Sequence, residues 1–354
     1  NQLMSATTGT VTATINGNIA ELDGLQANTG SNQALTITVN NACNVAQGAI
    51  LSDSTSGNVT YHSSGVTDTH ANMLSNGSKT SGLTKITNKN ASITLTVSDA
   101  VSASIGASIS GFTSGTVQFA NGVSDTFSNL VDGTGVSTNM QTIDAKDTDV
   151  NITISDSIAS ATADNITGLN ALMSATTGTV TATINGNVAE LDDLQATGTQ
   201  STQTLTITVN DSSSVSQGAT IADSTTTSVA YSGGISDVHA SINSQGSRTA
   251  GMTKVSAKDA DVNITVTNAV SCSIGSAIVG FTTGTVQFTG GVEDTLANLA
   301  SVGSGQITSE LSTIKTEDSD VNITVSHNIT DATANNITDL NAVMNATSGT
   351  VTAT

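Results

Sequence analysis

The sequence predicts a β-rich, mixed α/β tandem-repeat solenoid with mainly parallel strands and short helices in the crossovers. Three observations carry that expectation. The stretch Leu3–Asn18, LMSATTGTVTATINGN, returns letter for letter as Leu172–Asn187 and begins again, slightly altered, at Val343. Apolar residues alternate with Thr or Asn over short runs along the whole length. The composition has no Pro, no Trp and 2% aromatic residues, so a core must come from thin, regular strips of Val, Ile and Leu. A fixed long period signals stacked units, and period-2 alternation signals strands with one face inward.

The long repeat divides the chain into residues 1–171, 172–342 and the start of a third copy at 343–354. The chain starts and stops at nearly the same phase of this repeat. That predicts a window cut from something longer, or a subunit that continues into a copy of itself.

Two kinds of strand alternate. The first reads GTVTATI at Gly9–Ile15, with relatives centred on Val59, Val117, Val180, Val229, Val286 and Val351. The second reads LTITV at Leu35–Val39, with relatives ending at Val97, Ile154, Val209, Val266 and Val325. The second kind recurs at about 57 residues, so each long repeat holds three smaller units. The two kinds lie too far apart for tight hairpins between them, which favours parallel neighbours joined by crossovers. A string of β-sandwich domains is the rival, but a unit of about 57 residues is short for one.

Short helices are expected between the strands. One family reads Gly65-Val-Thr-Asp-Thr-His-Ala-Asn-Met73, and it returns from Gly122, Gly234 and Gly291. Its Asp (Asp68, Asp125, Asp237, Asp294) is expected as the N-cap. Asn18–Leu25 and Asn187–Leu194 occupy the same place. A second, less regular family is read at Ser98–Ile105 and Ser155–Ile166. A third short strand is expected around Gln141–Ala145 and Thr313–Thr316, with a tight corner before the next VNIT strand.

The net charge is −20, from 28 acidic against 8 basic residues. Clustered Lys and Arg are missing, which argues against a nucleic-acid partner. No apolar run approaches the roughly 18 residues of a membrane span, so no membrane insertion is expected. No signal peptide is visible, but the sequence does not begin with Met, so its absence carries no weight. Cys43 and Cys272 sit at near-equivalent phases of distant units. In a stack they lie beyond the roughly 7 Å reach of a disulfide, so no bridge between them is expected.

The turn before the VNIT strand is acidic. It places Asp147 with Asp149, Asp259 with Asp261, and Asp318 with Asp320. Two carboxylates spaced i, i+2 on a turn can converge on a hard cation, so these six residues are the candidate Ca²⁺ ligands. The alternative is that Asp simply favours turns and keeps strand edges soluble. The histidines His62, His70, His239 and His327 are expected on exposed surfaces and not as a zinc site. Gly77-Ser-Lys-Thr80 lacks phosphate-loop spacing and is read as a loop. No nucleophile elbow or catalytic carboxylate pair is found, so no enzyme is expected. Asn-x-Ser/Thr sequons recur, for example at Asn151, Asn263 and Asn322.

At Asp294–Leu299 (DTLANL) and Asp125–Leu130 (DTFSNL) the chain resembles the Thr/Ser/Ala-rich repeat tracts of giant bacterial surface and secreted proteins, of the marine cyanobacterial and proteobacterial type. That resemblance covers nearly the whole chain. It implies an extracellular or cell-surface location and a structural or adhesive role. Such proteins often leave the cell with a C-terminal signal, and none appears here. The expected function is therefore a non-catalytic component of an extracellular fibre, filament or surface layer, self-associating head to tail. An adhesin stalk or virus fibre that binds glycans is the alternative. A solenoid enzyme such as a polysaccharide lyase would need a unique acidic or basic groove, which near-identical repeats disfavour.

Overall fold

The computed structural model describes residues 1–25, 33–195, 202–329 and 332–353. The chain forms two compact units, one of residues 1–157 and 167–182, the other of residues 158–166 and 183–354. The fold is mixed α/β, with short, mainly parallel strands in small sheets and helices between them, and no closed barrel among the described residues.

In the first unit, Thr12–Gly17 pairs in parallel with Ala34–Val39, which pairs with Val59–Thr60. Val66–Asp68 pairs with Leu95–Val97, and that strand with Val117–Phe119. Val123–Asp125 pairs with Ile152–Ile158. The second unit repeats the plan. Thr204–Val209 pairs with Val229–Tyr231. Ile235–Asp237, Ile264–Val266 and Val286–Phe288 form one sheet, and Val292–Asp294, Ile323–Val325 and Val351–Thr352 another. We call the chain between a strand and its parallel neighbour a coil. Both predicted kinds of strand are present, and their alternation puts one face inward. Leu95 and Val97 are buried while Thr96 between them is not.

A further kind of strand was hidden in the predicted helix family. Val66–Asp68, Val123–Asp125, Ile235–Asp237 and Val292–Asp294 are strands, and the helix begins only after them. The preceding glycines Gly65, Gly122, Gly234 and Gly291 all have positive φ, between 59° and 77°. That left-handed turn aims the next amide at the neighbouring strand. The Val123 N–H donates to the Asn151 carbonyl at 2.8 Å, and Val66 to Thr94 at 2.9 Å. The N-caps are therefore Thr69, Thr126, Val238 and Thr295, each one residue beyond the Asp expected there.

Three other expectations are corrected. Gln141–Ala145 and Thr313–Thr316 are not strands; they fall at helices Thr138–Asp144 and Ser309–Glu317. Those helices are capped by Ser137 and Thr308, whose hydroxyls accept from the amides three residues on. The second helix family starts later than expected, at Ala103 in one case and at Ala163 in the other, where Ile152–Ile158 first continues as strand. The region Gly77–Thr80 is half of an antiparallel hairpin, Leu74–Ser75 with Ser78–Lys79, whose turn uses Asn76 and Gly77 at positive φ. Equivalent hairpins lie at Val131–Asp132 with Gly135–Val136, Asn243–Ser244 with Ser247–Arg248, and Ala300–Ser301 with Gln306–Ile307.

Glycine inside helices takes over the role that large side chains play in other cores. A Cβ on Gly106 would lie 2.7 Å from the Ile143 Cδ1. Gly48 meets Ile86 in the same way, and Gly275 meets Ile314. Glycine costs a helix roughly 1 kcal/mol relative to alanine, but here it lets a neighbouring Ile sit against the helix backbone. Ile86, Ile143 and Ile314 are all fully buried. Four of the seven aromatic residues go to one recurring place: Tyr61, Phe119, Tyr231 and Phe288 are buried at or just past matching strand ends.

Candidate functional site

The side chains that recur most regularly are carboxylates and carboxamides that reach from one coil to the helix of the coil before. Every helix starts with amide groups that have no partner inside the helix. Helix Ala103–Ser110 fills this need from outside. Its Ser102 hydroxyl caps the Ile105 amide, and the Asp125 Oδ2, 22 residues on, accepts from the Ala103 amide at 3.0 Å. Asp68 serves Val45, Asp237 serves Val215, and Asp294 serves Cys272 at the same distance. The short helices receive the same clip from another position. Asp99 accepts from the His70 amide, Asp156 from Phe127, and Asn268 from His239, all at 2.7–2.8 Å. Asn41 does this for Ile19 and Asp211 for Val188. An acidic or amide side chain at a helix N-terminus also meets the positive end of the helix dipole.

The other oxygen of each strand-end Asp holds its own turn. Asp125 Oδ1 accepts from the Thr126 amide at 2.9 Å and from the Asn129 side chain at 2.7 Å. Burial pushes the Asp125 carboxyl up, but the bonds from Asn129, Thr126 and Ala103 outweigh it and hold the group below its usual range. The sequence motif Asp-Thr-x-(Ala/Ser)-Asn therefore encodes a carboxylate with three donors, two local and one remote.

The acidic turns behave differently. Asp147 is buried and its Oδ2 accepts from the Phe119 amide at 2.7 Å. Asp259 accepts from Tyr231 at 2.8 Å and Asp318 from Phe288 at 2.7 Å. Asp149, Asp261 and Asp320 are exposed. Burial, and then the neighbouring Asp149 carboxyl, push Asp147 up to about 6. Asp259 and Asp318 are pushed up by burial and by Asp261 and Asp320 in the same way. The turn thus brings together two carboxyls and one backbone amide. Among the described residues no group of three or more His, Cys, Asp or Glu side chains gathers where it could hold a metal.

Basic residues also join coils. Lys146 Nζ donates to the carbonyls of Thr113 and Gly115, and Lys89 to those of Thr55 and Gly57. Lys85 pairs with Asp53 and Lys254 with Asp223. Arg248 sits 5.5 Å from the Phe281 ring centroid and donates to its carbonyl. The Thr of each Thr-x-Gly turn reaches back as well: Thr113 donates to Ile93 at 2.6 Å and Thr282 to Val262 at 2.6 Å.

His70 and His239 are half-buried and not freely exposed. The His70 Nδ1 lies 2.6 Å from Asp99 Oδ2, and the His239 Nδ1 lies 3.2 Å from Asn268 Oδ1. His62 is half-buried and His327 exposed. The sequon residues Asn151, Asn263 and Asn322 are exposed immediately before strands, with Oδ1 accepting from the Thr179, Thr285 and Thr350 amides at 2.9 Å. Cys43 and Cys272 are both free and buried. Their phases differ by two residues: Cys43 bridges to Val66, as Val270 does to Val292, whereas Cys272 opens a helix. Burial pushes their thiols up to about 11 and about 12. No helix among the described residues is long and apolar enough to cross a membrane.

Sequence reading missed the clips because a partner 22–29 residues away leaves no local pattern. Asp68, Asp125, Asp237 and Asp294 were the visible signal, expected to cap the helix that follows them, whereas their carboxylates cap the helix of the coil before.

The fold and these contacts define a mixed α/β protein of small parallel sheets joined by helices. Compared with protein-family models, curated protein sequences and solved structures, the chain matches none of them.

Proposed function

We propose that the chain is a non-catalytic structural repeat module, a stretch of tandem-repeat solenoid serving an extracellular fibre, filament or surface layer. The single observation that supports this reading is the recurrence of one clip: an Asp or Asn in or just past a strand caps a helix of the preceding coil, in nine coils by the bonds given above. Interactions of that kind link only nearest neighbours, so stability spreads along the array and not around one centre. The acidic, hydroxyl-rich exterior suits a protein that must stay soluble while presenting many strand edges. The resemblance to bacterial surface repeat tracts supports the extracellular location.

Negative-stain microscopy of the purified protein tests the reading. Uniform elongated particles or fibres support it; compact, isotropic particles oppose it. One observation favours a second reading, an adhesin or fibre stalk that binds glycans. Ser63, Ser64, Thr67, Thr94, Thr96, Thr116 and Gln118 line a shallow, open depression rich in hydroxyls. Glycan-array binding that is lost on replacing Thr96 and Gln118 with Ala would favour it.

A further inference from the structure

In three coils a lysine reaches back to the carbonyls of the Thr-x-Gly or Thr-x-Thr turn, and in a fourth a glutamate stands in its place. Lys89 Nζ donates to the Thr55 and Gly57 carbonyls at 2.8 and 2.9 Å, and Lys146 Nζ to those of Thr113 and Gly115 at 3.0 and 2.9 Å. Lys258 Nζ donates to the Thr225 carbonyl at 2.7 Å. These lysines directly precede Asn90, Asp147 and Asp259. In the fourth coil the matching position, just before Asp318, is Glu317.

That coil is otherwise built like the others. The Thr282 hydroxyl donates to the Val262 carbonyl at 2.6 Å and accepts from the Gly284 amide at 2.9 Å, as Thr113 does with Ile93 and Gly115 at the same distances. The same bonds set the same turn, so the Thr282 and Gly284 carbonyls are placed as those of Thr113 and Gly115 are. The helix is matched too. Asp318 accepts from the Phe288 amide at 2.7 Å as Asp147 does from Phe119, and Ile314 packs on Gly275 as Ile143 does on Gly106. Glu317 therefore starts from the place from which Lys146 reaches its turn. Among the described residues no donor meets the Thr282 or Gly284 carbonyl, and the Glu317 carboxylate has no ion pair or hydrogen bond. Lys315, two positions back on the helix, is exposed and faces elsewhere.

Two carbonyl oxygens and a carboxylate brought together repel one another unless a cation lies between them. They are hard ligands of the kind Ca²⁺ takes at about 2.3–2.6 Å. A glutamate oxygen lies one bond nearer the backbone than a lysine nitrogen, so an ion held by Glu317 sits close to where Nζ sits in the other coils. We propose that the Thr282 and Gly284 carbonyls and the Glu317 carboxylate bind one Ca²⁺, with water completing its shell. The ion does for this coil what the lysine ammonium does for the other three: it ties helix Ser309–Glu317 to the turn before strand Val286–Phe288. The joint is thereby calcium-dependent, whether or not the chain forms fibres. With so few protein ligands the dissociation constant is about 10⁻⁴–10⁻³ M.

Thermal melts of the full chain test this in EDTA and in about 10 mM Ca²⁺, with equal Mg²⁺ as the control for charge screening. Ca²⁺ is expected to raise the wild-type melt by about 3 °C more than Mg²⁺ does. Glu317→Gln should lose that excess, and titration calorimetry should find one Ca²⁺ fewer in it than in wild type. Glu317→Lys returns an ammonium to the carbonyl pair, so it should melt as high as calcium-loaded wild type and show no excess. A wild-type melt that responds equally to Ca²⁺ and Mg²⁺ overturns the proposal. An equal calcium excess in Glu317→Gln also overturns it and puts the ion on other carboxylates, such as those of the acidic turns. Glu317→Lys melting below calcium-free wild type would show that this carbonyl pair takes no cation, and overturns it as well.

Discussion

Asp125 holds the Ala103 amide at 3.0 Å with one carboxylate oxygen and its own turn, through Thr126 and Asn129, with the other. One side chain thereby fixes the start of a helix in the coil before and the start of the helix that follows it. Asp125→Ala removes both, and the expected cost is about 2 kcal/mol, near the upper end of cap losses. Asp125→Asn keeps a carbonyl oxygen and should cost less. Urea denaturation of both variants checks the order. An Asp125→Ala chain as stable as wild type would contradict it.

Acid should expose the same bonds. The folded-state carboxyl of Asp125 lies below its usual range. Its contribution is therefore complete above the ordinary carboxyl range, near pH 4, and is lost as pH falls through the lower folded value.

The acid pairs of the turns predict the opposite slope in a different window. Asp147 is raised to about 6, and Asp259 and Asp318 are raised as well. Between about pH 4 and 6 the folded chain binds more protons than the unfolded chain, so stability falls as pH rises through this window. The melting temperature should be a few degrees higher at pH 5 than at pH 7.5. The triple variant Asp149→Asn, Asp261→Asn, Asp320→Asn should lose only the part of that difference that the neighbouring carboxyls supply, since burial, the larger cause, stays. Calorimetry at the two pH values checks this, and a wild-type melt that rises from pH 5 to 7.5 would refute it.

Gly122 has φ +71°, and a Cβ there would meet the Asn151 carbonyl oxygen at 2.4 Å. Gly122→Ala combines an unfavourable backbone region with a clash against a strand that cannot retreat. It should cost about 2 kcal/mol or more. Its denaturation midpoint checks the size; a neutral effect would mean that the turn relaxes.

Gly106 and Ile143 should be coupled. Ile143→Ala empties a fully buried site and is expected to cost about 2–4 kcal/mol. Gly106→Ala alone drives a methyl to within 2.7 Å of Ile143. In the Ile143→Ala background the same methyl fills vacated space and adds helix propensity, so the double variant should be more stable than Ile143→Ala alone. A double-mutant cycle by urea denaturation reads the coupling, and additive costs would contradict the packing described.

The strands were legible because their signal is local. Alternation at Leu95–Val97 and the recurring VNIT runs each place a strand within a few residues. Asp68 and its relatives were legible as caps in kind but not in target, since a side chain that reaches 22 residues back leaves no trace in the local spacing. The helix around Gly106 was read too early because its core contact is a glycine, which no apolar pattern marks. The strand at Val123 was hidden because its register depends on the positive φ of Gly122, a property that follows from fit to Asn151. For the acidic turns, sequence could place Asp147 beside Asp149 but could not show the Phe119 amide that occupies one of the oxygens.

The central claim is that each coil is held by its neighbour through a side-chain clip. Amide hydrogen exchange on Asp125→Ala tests it directly. The account predicts faster exchange in helix Ala103–Ser110 and in the turn Thr126–Asn129, with helices Val45–Asp53 and Cys272–Val279 unchanged. Uniformly faster exchange across the chain, or none at Ala103–Ser110, would contradict it.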